Sequence, residues 1–279
     1  MLPNFLTVGL RTLRRDPLFT AINLFGLAIG LAGCLLIILF IRYELSFDAW
    51  LPDADRIYQV QRIETTGSNV GKRYAQTAFV AATAMPPQFP EIEAATGLVG
   101  VAGIFRKGGE LVDIDDVYGT DANFLNVLRL PLAAGNPSTA LSEVGNLVLT
   151  ESAARRLFGR TDVVGRTVTR VSSDGDMAVR VTGVLRDLPA NSHLRIGALF
   201  RPNVSRPTGT EVFTKWNWVS GWVYARLRPG ADVAAMNDRM PAVLRRIVPE
   251  SERDDSARDG LGFTQALMTV RAINTASID

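Results

Sequence analysis

Residues 18–41, LFTAINLFGLAIGLAGCLLIILFI, contain no charged side chain and one strongly polar one, Asn23. A helix rises about 1.5 Å per residue, so this stretch is long enough to cross the hydrocarbon core of a bilayer. Charged residues nevertheless make up 21% of the 279-residue chain, which is too many for a bundle of transmembrane helices. We therefore predict one transmembrane helix, at residues 18–41.

Charges on either side of this helix predict its orientation. Arg11, Arg14 and Arg15 precede it, whereas the stretch after it carries Arg42 against four acidic residues, Glu44, Asp48, Asp53 and Asp55. Because basic residues stay on the cytoplasmic side, the N-terminus is predicted to be cytoplasmic. Residues 42–279 then form a periplasmic domain of a single-pass protein in a bacterial inner membrane. Residues 1–17 are predicted to be either a basic amphipathic segment at the headgroups or a plain extension of the helix that Pro17 ends.

Two other interpretations of the N-terminus are less favoured. A cleavable signal peptide has a shorter apolar core than this one and a small-residue cleavage site after it. Residues 31–34, Leu-Ala-Gly-Cys, resemble a lipoprotein lipidation box, but an apolar run follows Cys34 where a mature lipoprotein would turn polar. We favour a short run of small residues inside a membrane-spanning helix.

Three glycines give the helix a flat face. Gly26 and Gly30 are four residues apart and Gly33 lies close to them on the same side, so another helix backbone can approach there. This pattern predicts a packing face for partner helices.

After the helix, short strand-like runs alternate with short helices. The pattern predicts an α+β fold. The part after the helix should be a mixed α/β domain that contains a mixed sheet and is divided into two subdomains. The predicted strands are residues 56–64, 72–78, 92–118, 146–149, 164–171, 177–185 and 218–227, and the predicted helices are 79–85, 121–128, 151–158 and 231–247. Asp121 and Thr150 are the predicted N-caps, Gly159 is a predicted helix end, Gly108-Gly109 is a hairpin turn, and residues 200–211 and 249–260 are loops.

Several chemistries are disfavoured. Beyond residue 41 the chain has 27 basic and 27 acidic residues, so no basic excess favours nucleic acid. His193 is the only histidine and Cys34 the only cysteine, and no nucleophile elbow or metal-ligand spacing accompanies them, so His193 is predicted to be a structural turn residue. Residues 67–73, GSNVGKR, are one residue short of a phosphate-binding loop. We expect no enzymatic activity, no cofactor and no bound metal.

Two further clusters have both a functional and a structural interpretation. Asp113, Asp115 and Asp116 lie close in sequence, and the first and second would share one strand face, which suits a cation or, more simply, a solvated strand edge. Trp216, Trp218 and Trp222 have even spacing and would project from one face of a strand. They are either a surface for a partner or cargo or, as we favour, packing between the two subdomains.

Five stretches in order along nearly the whole chain resemble one protein family. They are residues 23–30 (NLFGLAIG), 43–48 (YELSFD), 53–60 (DADRIYQV), 183–194 (GVLRDLPANSHL) and 224–232 (YARLRPGAD). Together they are similar to FtsX-like, MacB-type ABC transporter permeases and the periplasmic core domain of that family.

The resemblance implies a permease component that dimerises with a like or unlike permease half and works with a separate cytoplasmic ABC ATPase. Such systems export or extract peptides, macrolides or lipoproteins, or transmit a mechanical signal, in some cases with a periplasmic adaptor protein. Family members continue with further transmembrane helices, so we expect this chain to be the N-terminal part of a permease. The alternative is a stand-alone, membrane-tethered periplasmic binding or adaptor module.

Overall fold

The computed structural model describes residues 15, 17–173, 175–204, 210–253 and 261–270. It divides into two compact units, Met1–Phe47 and Asp48–Asp279. The first contains helix α1 (Pro17–Leu45), in which no residue is buried. Its length and apolar composition make α1 one candidate transmembrane helix among the described residues, and it contains the predicted span at 18–41. The segment predicted at residues 1–17 lies almost entirely outside the described residues.

In the described part of the chain the second unit, which we call the domain, consists of helices and fourteen strands. The further helices are α2 (Ala81–Ala84), α3 (Phe124–Leu128), α4 (Glu151–Phe158), α5 (Glu211–Thr214) and α6 (Val233–Ile247). The strands are β1 (Ile57–Glu64), β2 (Arg73–Tyr74), β3 (Thr77–Ala78), β4 (Ile92–Gly100), β5 (Ile104–Lys107), β6 (Glu110–Asp113), β7 (Val117–Thr120), β8 (Leu132–Gly135), β9 (Asn146–Thr150), β10 (Thr167–Arg170), β11 (Met177–Leu185), β12 (Ala198–Phe200), β13 (Val219–Leu227) and β14 (Phe263–Thr269).

Eleven of these strands form one continuous ladder in the order β14-β1-β13-β4-β7-β12-β9-β11-β10-β5-β6, while β2 pairs with β1, β3 with β13 and β8 with β11. Two neighbouring pairs, β9 with β11 and β7 with β12, are parallel, and the other neighbours on this path are antiparallel. The sheet is therefore mixed, and the predicted fold class, an apolar N-terminal helix followed by a mixed α/β domain, is confirmed.

Three groups of buried side chains make up the core. One packs α2 and α6 against β1, β13 and β14, and includes Phe89 and Met240. Another packs α4 against β9, β10 and β11, and includes Phe105 and Leu157. The third lies around α3 and includes Leu51, Phe124 and Tyr224. The two ends of the ladder thus have separate cores, and the third core contains the beginning of the domain.

Local sequence signals predicted α4 closely. The Oγ1 of Thr150 accepts a hydrogen bond from the Ala153 N–H at 3.2 Å, as an N-cap does. Gly159 ends the helix with a φ of 75°, a conformation that costs glycine little. Both predictions are confirmed, as is the hairpin turn at Gly108-Gly109, since Lys107 pairs with Glu110.

The prediction of Asp121 as an N-cap is wrong. Helix α3 begins at Phe124 after Asn123, with no side-chain cap. Oδ1 of Asp121 accepts from the Asn123 N–H at 2.8 Å, before the first residue of the helix, and its Oδ2 accepts from the Thr96 hydroxyl at 3.0 Å and the Gly97 N–H at 2.9 Å. It belongs to a contact between β4 and the chain after β7, and burial raises its pKa despite these hydrogen bonds.

Candidate functional site

The domain begins with residues 48–56, which we call the entry segment. Its first residue, Asp48, is 1% exposed and has a φ of 54°. The Asp48 N–H donates to the Asn191 carbonyl at 3.0 Å. Its Oδ1 accepts from the backbone N–H of His193 at 3.1 Å and from the hydroxyl of Ser192 at 3.2 Å. The first residue of the domain is thus bonded to a loop far away in sequence.

His193 extends this contact into the core. Its Nδ1 lies 2.7 Å from Oδ2 of Asp48, and its Nε2 lies 3.1 Å from the phenol oxygen of Tyr224 on β13. A neutral imidazole that donates from Nδ1 to the carboxylate can accept from the phenol at Nε2. Burial raises the pKa of the Tyr224 phenol above its ordinary value, which keeps that donor protonated. The three buried side chains form a hydrogen-bond chain from the entry segment to the central sheet.

Two more polar contacts hold the rest of the entry segment. Asp53 forms a 2.6 Å ion pair with Arg129, which follows α3. The Arg56 Nε donates to the Leu227 carbonyl at 2.9 Å, and its guanidinium also pairs with Glu93 on β4. In the same segment, Leu51 and Ala54 are buried in the third core, around α3. Apolar burial and ionic contacts therefore act on the same nine residues.

Glu93 lies between two arginines. Besides Arg56, it contacts Arg226 of β13 at 2.9 Å. Burial acts to raise the pKa of Glu93, but the charges and hydrogen bonds of Arg226 and Arg56 outweigh it and lower that pKa below its ordinary value. This pairing favours the carboxylate form of Glu93 at neutral pH.

The loop of residues 186–197 is held at both ends. Near its start, the carboxylate of Asp187 accepts from the N–H of Ser152 at 3.0 Å and from its hydroxyl at 2.7 Å, in the first turn of α4. In its middle, residues 191–193 bind Asp48, and at its end the Gly197 N–H donates to the Asp116 carbonyl at 2.9 Å. Loop 186–197 therefore connects the entry segment to the parallel part of the sheet.

Loop 186–197 also forms a wall of two clefts. The larger is about 410 Å³ and lies beside α4, with Arg156 and Asp187 among its lining residues. The smaller is about 220 Å³ and is lined by Tyr118 and Trp222, whose rings meet edge-on with centroids 5.9 Å apart. Asp116, Leu194 and Arg195 line both clefts. Both clefts are thus adjacent to the histidine contact.

The residues predicted as a helix-packing face lie in α1. A Cβ added at Gly26, Gly30 or Gly33 would meet nothing within 4 Å. The space beside the three glycines is therefore unfilled by the described chain, and their role in packing stays a prediction.

The three tryptophans do not share one strand face. Strand β13 begins at Val219, so Trp222 is the one of the three that lies in it. Trp222 packs against the third core. Trp216 is buried in the core beside α6, and Trp218 is 50% exposed. The predicted geometry is wrong because the chain before Val219 is not extended as part of the strand. A role for Trp216, Trp218 and Trp222 as a partner or cargo surface stays a prediction.

The acidic cluster is also arranged differently from the prediction. Asp113 ends β6, whereas Asp115 lies beyond it and forms a 3.0 Å ion pair with Arg156. The two carboxylates therefore do not lie on one strand face. Among the described residues there is no group of three or more His, Cys, Asp or Glu side chains placed to hold a metal ion.

The sequence analysis found the motifs of this site but not the contact between them. Asp48 ends the stretch 43–48, and His193 lies in the stretch 183–194, both of which carried the family resemblance. The prediction of His193 as a structural residue agrees with its buried hydrogen bonds. Spacing along the chain could not pair the two, because 145 positions separate them.

A family model for the MacB-like periplasmic core domain matches residues 20–243 of this chain. The comparison with curated proteins found no match. Among solved structures, the chain is similar to a domain assigned to a permease protein from Porphyromonas gingivalis, with 24% identity and a TM-score of 0.61. That match covers 78% of this chain and 92% of the other. This likeness shows a shared fold.

Two other solved structures are more distant. The periplasmic region of MacB from Actinobacillus actinomycetemcomitans is 15% identical, with a TM-score of 0.48, over 80% of this chain and 93% of the other. The extracellular domain of the noncanonic ABC-type transporter YknZ from Gram-positive bacteria is 13% identical, with a TM-score of 0.48, over 76% of this chain and 99% of the other.

Proposed function

The chain belongs to the family of the MacB-like periplasmic core domain, found in ABC-type transporter permeases, and from this premise we propose that it is the permease component of an export or mechanotransmission system. A separate cytoplasmic ABC ATPase would supply the energy. The cargo would be peptides, macrolides or lipoproteins. In this proposal the chain is not an enzyme, and it dimerises in a bacterial inner membrane with its N-terminus in the cytoplasm.

The observation that supports this role is the attachment of the entry segment. The residues before Asp48 are joined to the domain by the peptide bond that precedes Asp48, so a displacement of these residues acts on Asp48 first. Asp48 is buried and joined to three residues of loop 186–197. Asp53 and Arg56 add two further contacts within the next eight residues. A segment held in this way would transmit movement, whereas a flexible linker would absorb it.

The hydrogen-bond chain of Asp48, His193 and Tyr224 supports a structural rather than a catalytic role for the site. An Asp–His pair activates a nucleophile when a hydroxyl or thiol lies next to the imidazole and can reach a substrate. Here the neighbour of His193 is the phenol of Tyr224, which is 2% exposed. Burial keeps this phenol protonated, and a buried, protonated phenol is a poor nucleophile.

One observation favours the alternative function, a membrane-tethered binding or adaptor module. The cleft of about 410 Å³ beside loop 186–197 offers both charged and apolar side chains to a ligand. A tethered binding module would need this cleft but no ATPase. The two candidate functions therefore differ in whether the chain has an ATPase as a partner.

Photo-crosslinking in intact cells tests this difference. A photoreactive residue at position 5 would report on the predicted cytoplasmic side, and one at Val70, which is 63% exposed on the domain, would be the matched control. We expect mass spectrometry to find an ABC ATPase captured from position 5 and not from Val70. Capture of the ATPase from Val70 alone would show that the orientation is the opposite of the proposed one. Capture of an ATPase from neither position would favour the tethered module.

A further inference from the structure

The two ends of the sheet differ in how their outer edges are covered. At one end, Asn237 of α6 occupies the edge of β14, because its Oδ1 accepts from the Leu267 N–H at 2.8 Å and its amide reaches the Leu267 carbonyl at 3.5 Å. A side chain that imitates a neighbouring strand closes an edge to further pairing. At the other end, β5 is the one strand of the described residues that pairs with β6.

The register of the β5–β6 hairpin shows which backbone groups of β6 face outward. The turn residues Gly108 and Gly109 have φ values of 57° and 89°, as in a two-residue hairpin loop, so Lys107 and Glu110 bond to each other. The bond from the Ile114 N–H to the Gly103 carbonyl, at 2.9 Å, fits the same alternation. The N–H and C=O groups of Leu111 and Asp113 therefore point away from β5. Within the described residues, no group of the protein bonds to them.

The side chains along this edge define what could cover it. The side chains of Glu110 and Asp113 are exposed, and their carboxylates form no ion pair or hydrogen bond within the described part of the chain. Between them, Leu111 is 58% exposed and Val112 is half-buried. The basic residues of β5 are already engaged, since Arg106 pairs with Asp176 at 2.6 Å and the Lys107 ammonium donates to the Leu157 carbonyl at 3.1 Å. Along this edge the side chains of residues 110–113 are thus acidic, apolar, apolar and acidic, in that order.

We propose that β6 accepts an extended segment of a partner protein as an added strand, and that this segment carries two apolar residues flanked by two basic ones. Backbone pairing with Leu111 and Asp113 supplies the attachment, and the flanking charges select the partner. A second copy of β6 is a poor occupant, because each copy brings Glu110 and Asp113 to the contact and their charges repel.

Hydrogen exchange on the whole chain in micelles tests the proposal. The probe is the capped peptide Gly-Lys-Val-Val-Lys-Gly, with Gly-Glu-Val-Val-Glu-Gly as its matched control, both at millimolar concentration. We expect the lysine peptide to slow exchange of the Leu111 and Asp113 amides, and the glutamate peptide to bind about tenfold more weakly, because two cross-strand charge pairs are reversed. Equal slowing by both peptides, or by neither, would overturn the proposal.

Two substitutions separate backbone pairing from simple charge attraction. Leu111→Pro removes an outward N–H while leaving the bonds to β5 in place, since proline is tolerated at that orientation on an edge strand. Leu111→Ala shortens the side chain but keeps the N–H. We expect the proline variant to lose peptide-dependent slowing at Asp113 and the alanine variant to retain most of it. Slowing that persists in the proline variant would show that charge alone attracts the peptide, and would contradict strand addition.

Discussion

The Oδ2 of Asp48 lies 2.7 Å from the Nδ1 of His193, although 145 positions separate the two residues in sequence. The contact joins the first residue of the domain to a loop that also borders two clefts. Both side chains are buried, so water cannot replace either partner, and breaking the hydrogen bond would lower the stability of the folded domain. This relationship is the basis of the predictions for the entry segment.

Asp48→Asn should destabilise the domain. The substitution suits the left-handed backbone at this position, but the carboxylate accepts from three donors and the amide replaces one of its two oxygens with an NH2 group, which costs about 2–3 kcal/mol. Denaturant unfolding followed by tryptophan fluorescence measures this, because all four tryptophans lie in residues 48–279. Asp238→Asn, on the exposed side of α6, is the control and should stay within about 0.5 kcal/mol of wild type. Equal stability of the two variants would show that the Asp48 contact contributes nothing.

The pairing of Glu93 should appear in the pH dependence of stability. Its pKa is lowered in the folded state, so its contribution is present above the ordinary value of 4.5 and is lost as pH falls through the folded pKa. Glu93→Gln should therefore be less stable than wild type at pH 7, and the difference should shrink below about pH 4.5. Unfolding curves at a series of pH values provide the measurement. A difference that is constant with pH would contradict the ionic role of Glu93.

The cap of α4 should depend on a hydroxyl group rather than on side-chain size. Thr150→Ala removes the acceptor for the Ala153 N–H and should cost about 1 kcal/mol. Thr150→Ser keeps that acceptor and should cost less. The same fluorescence unfolding experiment compares them, and equal losses in both variants would assign the effect to the lost methyl group instead.

The predicted packing face on α1 can be tested without knowing the cargo. Replacing Gly26 and Gly30 with leucine should hold a partner backbone away and reduce crosslinking strongly, while membrane insertion survives because the span becomes more apolar. Crosslinking should be measured with the chain alone and with a supplied downstream permease half. Ala28→Leu with Ala32→Leu, on another side of the helix, is the matched control and should crosslink as wild type does. Unchanged crosslinking of the glycine variant in both settings would leave α1 as a plain anchor.

Much of the fold could be predicted because its signals are local. The apolar run predicted α1, and the hydroxyl of Thr150 with the later Gly159 marked both ends of α4. Asp121 shows the limit of such signals. Its carboxylate accepts from the Asn123 N–H just before α3 and also from Thr96 and Gly97 of β4, and spacing along the chain does not show that β4 supplies two of its donors.

The strands that sequence analysis missed are short or lack an alternating pattern. Strand β12 has three residues, all buried, so no period of two can appear in it. The tryptophans were misplaced for a related reason, since even spacing indicates one strand face only if the whole stretch is extended. The Asp48–His193 contact was also beyond sequence reasoning, because a single sequence does not record which loops meet in space.

We expect movement of the chain before Asp48 to reach the domain through the entry segment. A four-residue Gly-Ser insertion between Phe47 and Asp48 would break this coupling while leaving the domain contacts in place. The same insertion between Gly108 and Gly109 is the control, because the hairpin turn is exposed.

The most direct measurement is hydrogen exchange of residues 186–197, with and without ATP, in membrane vesicles that contain the chain and its ATPase. Coupling through the entry segment should give an ATP-dependent change in exchange that the wild type and the hairpin control both show and that the insertion before Asp48 abolishes. An ATP-dependent change of equal size in all three proteins would contradict it.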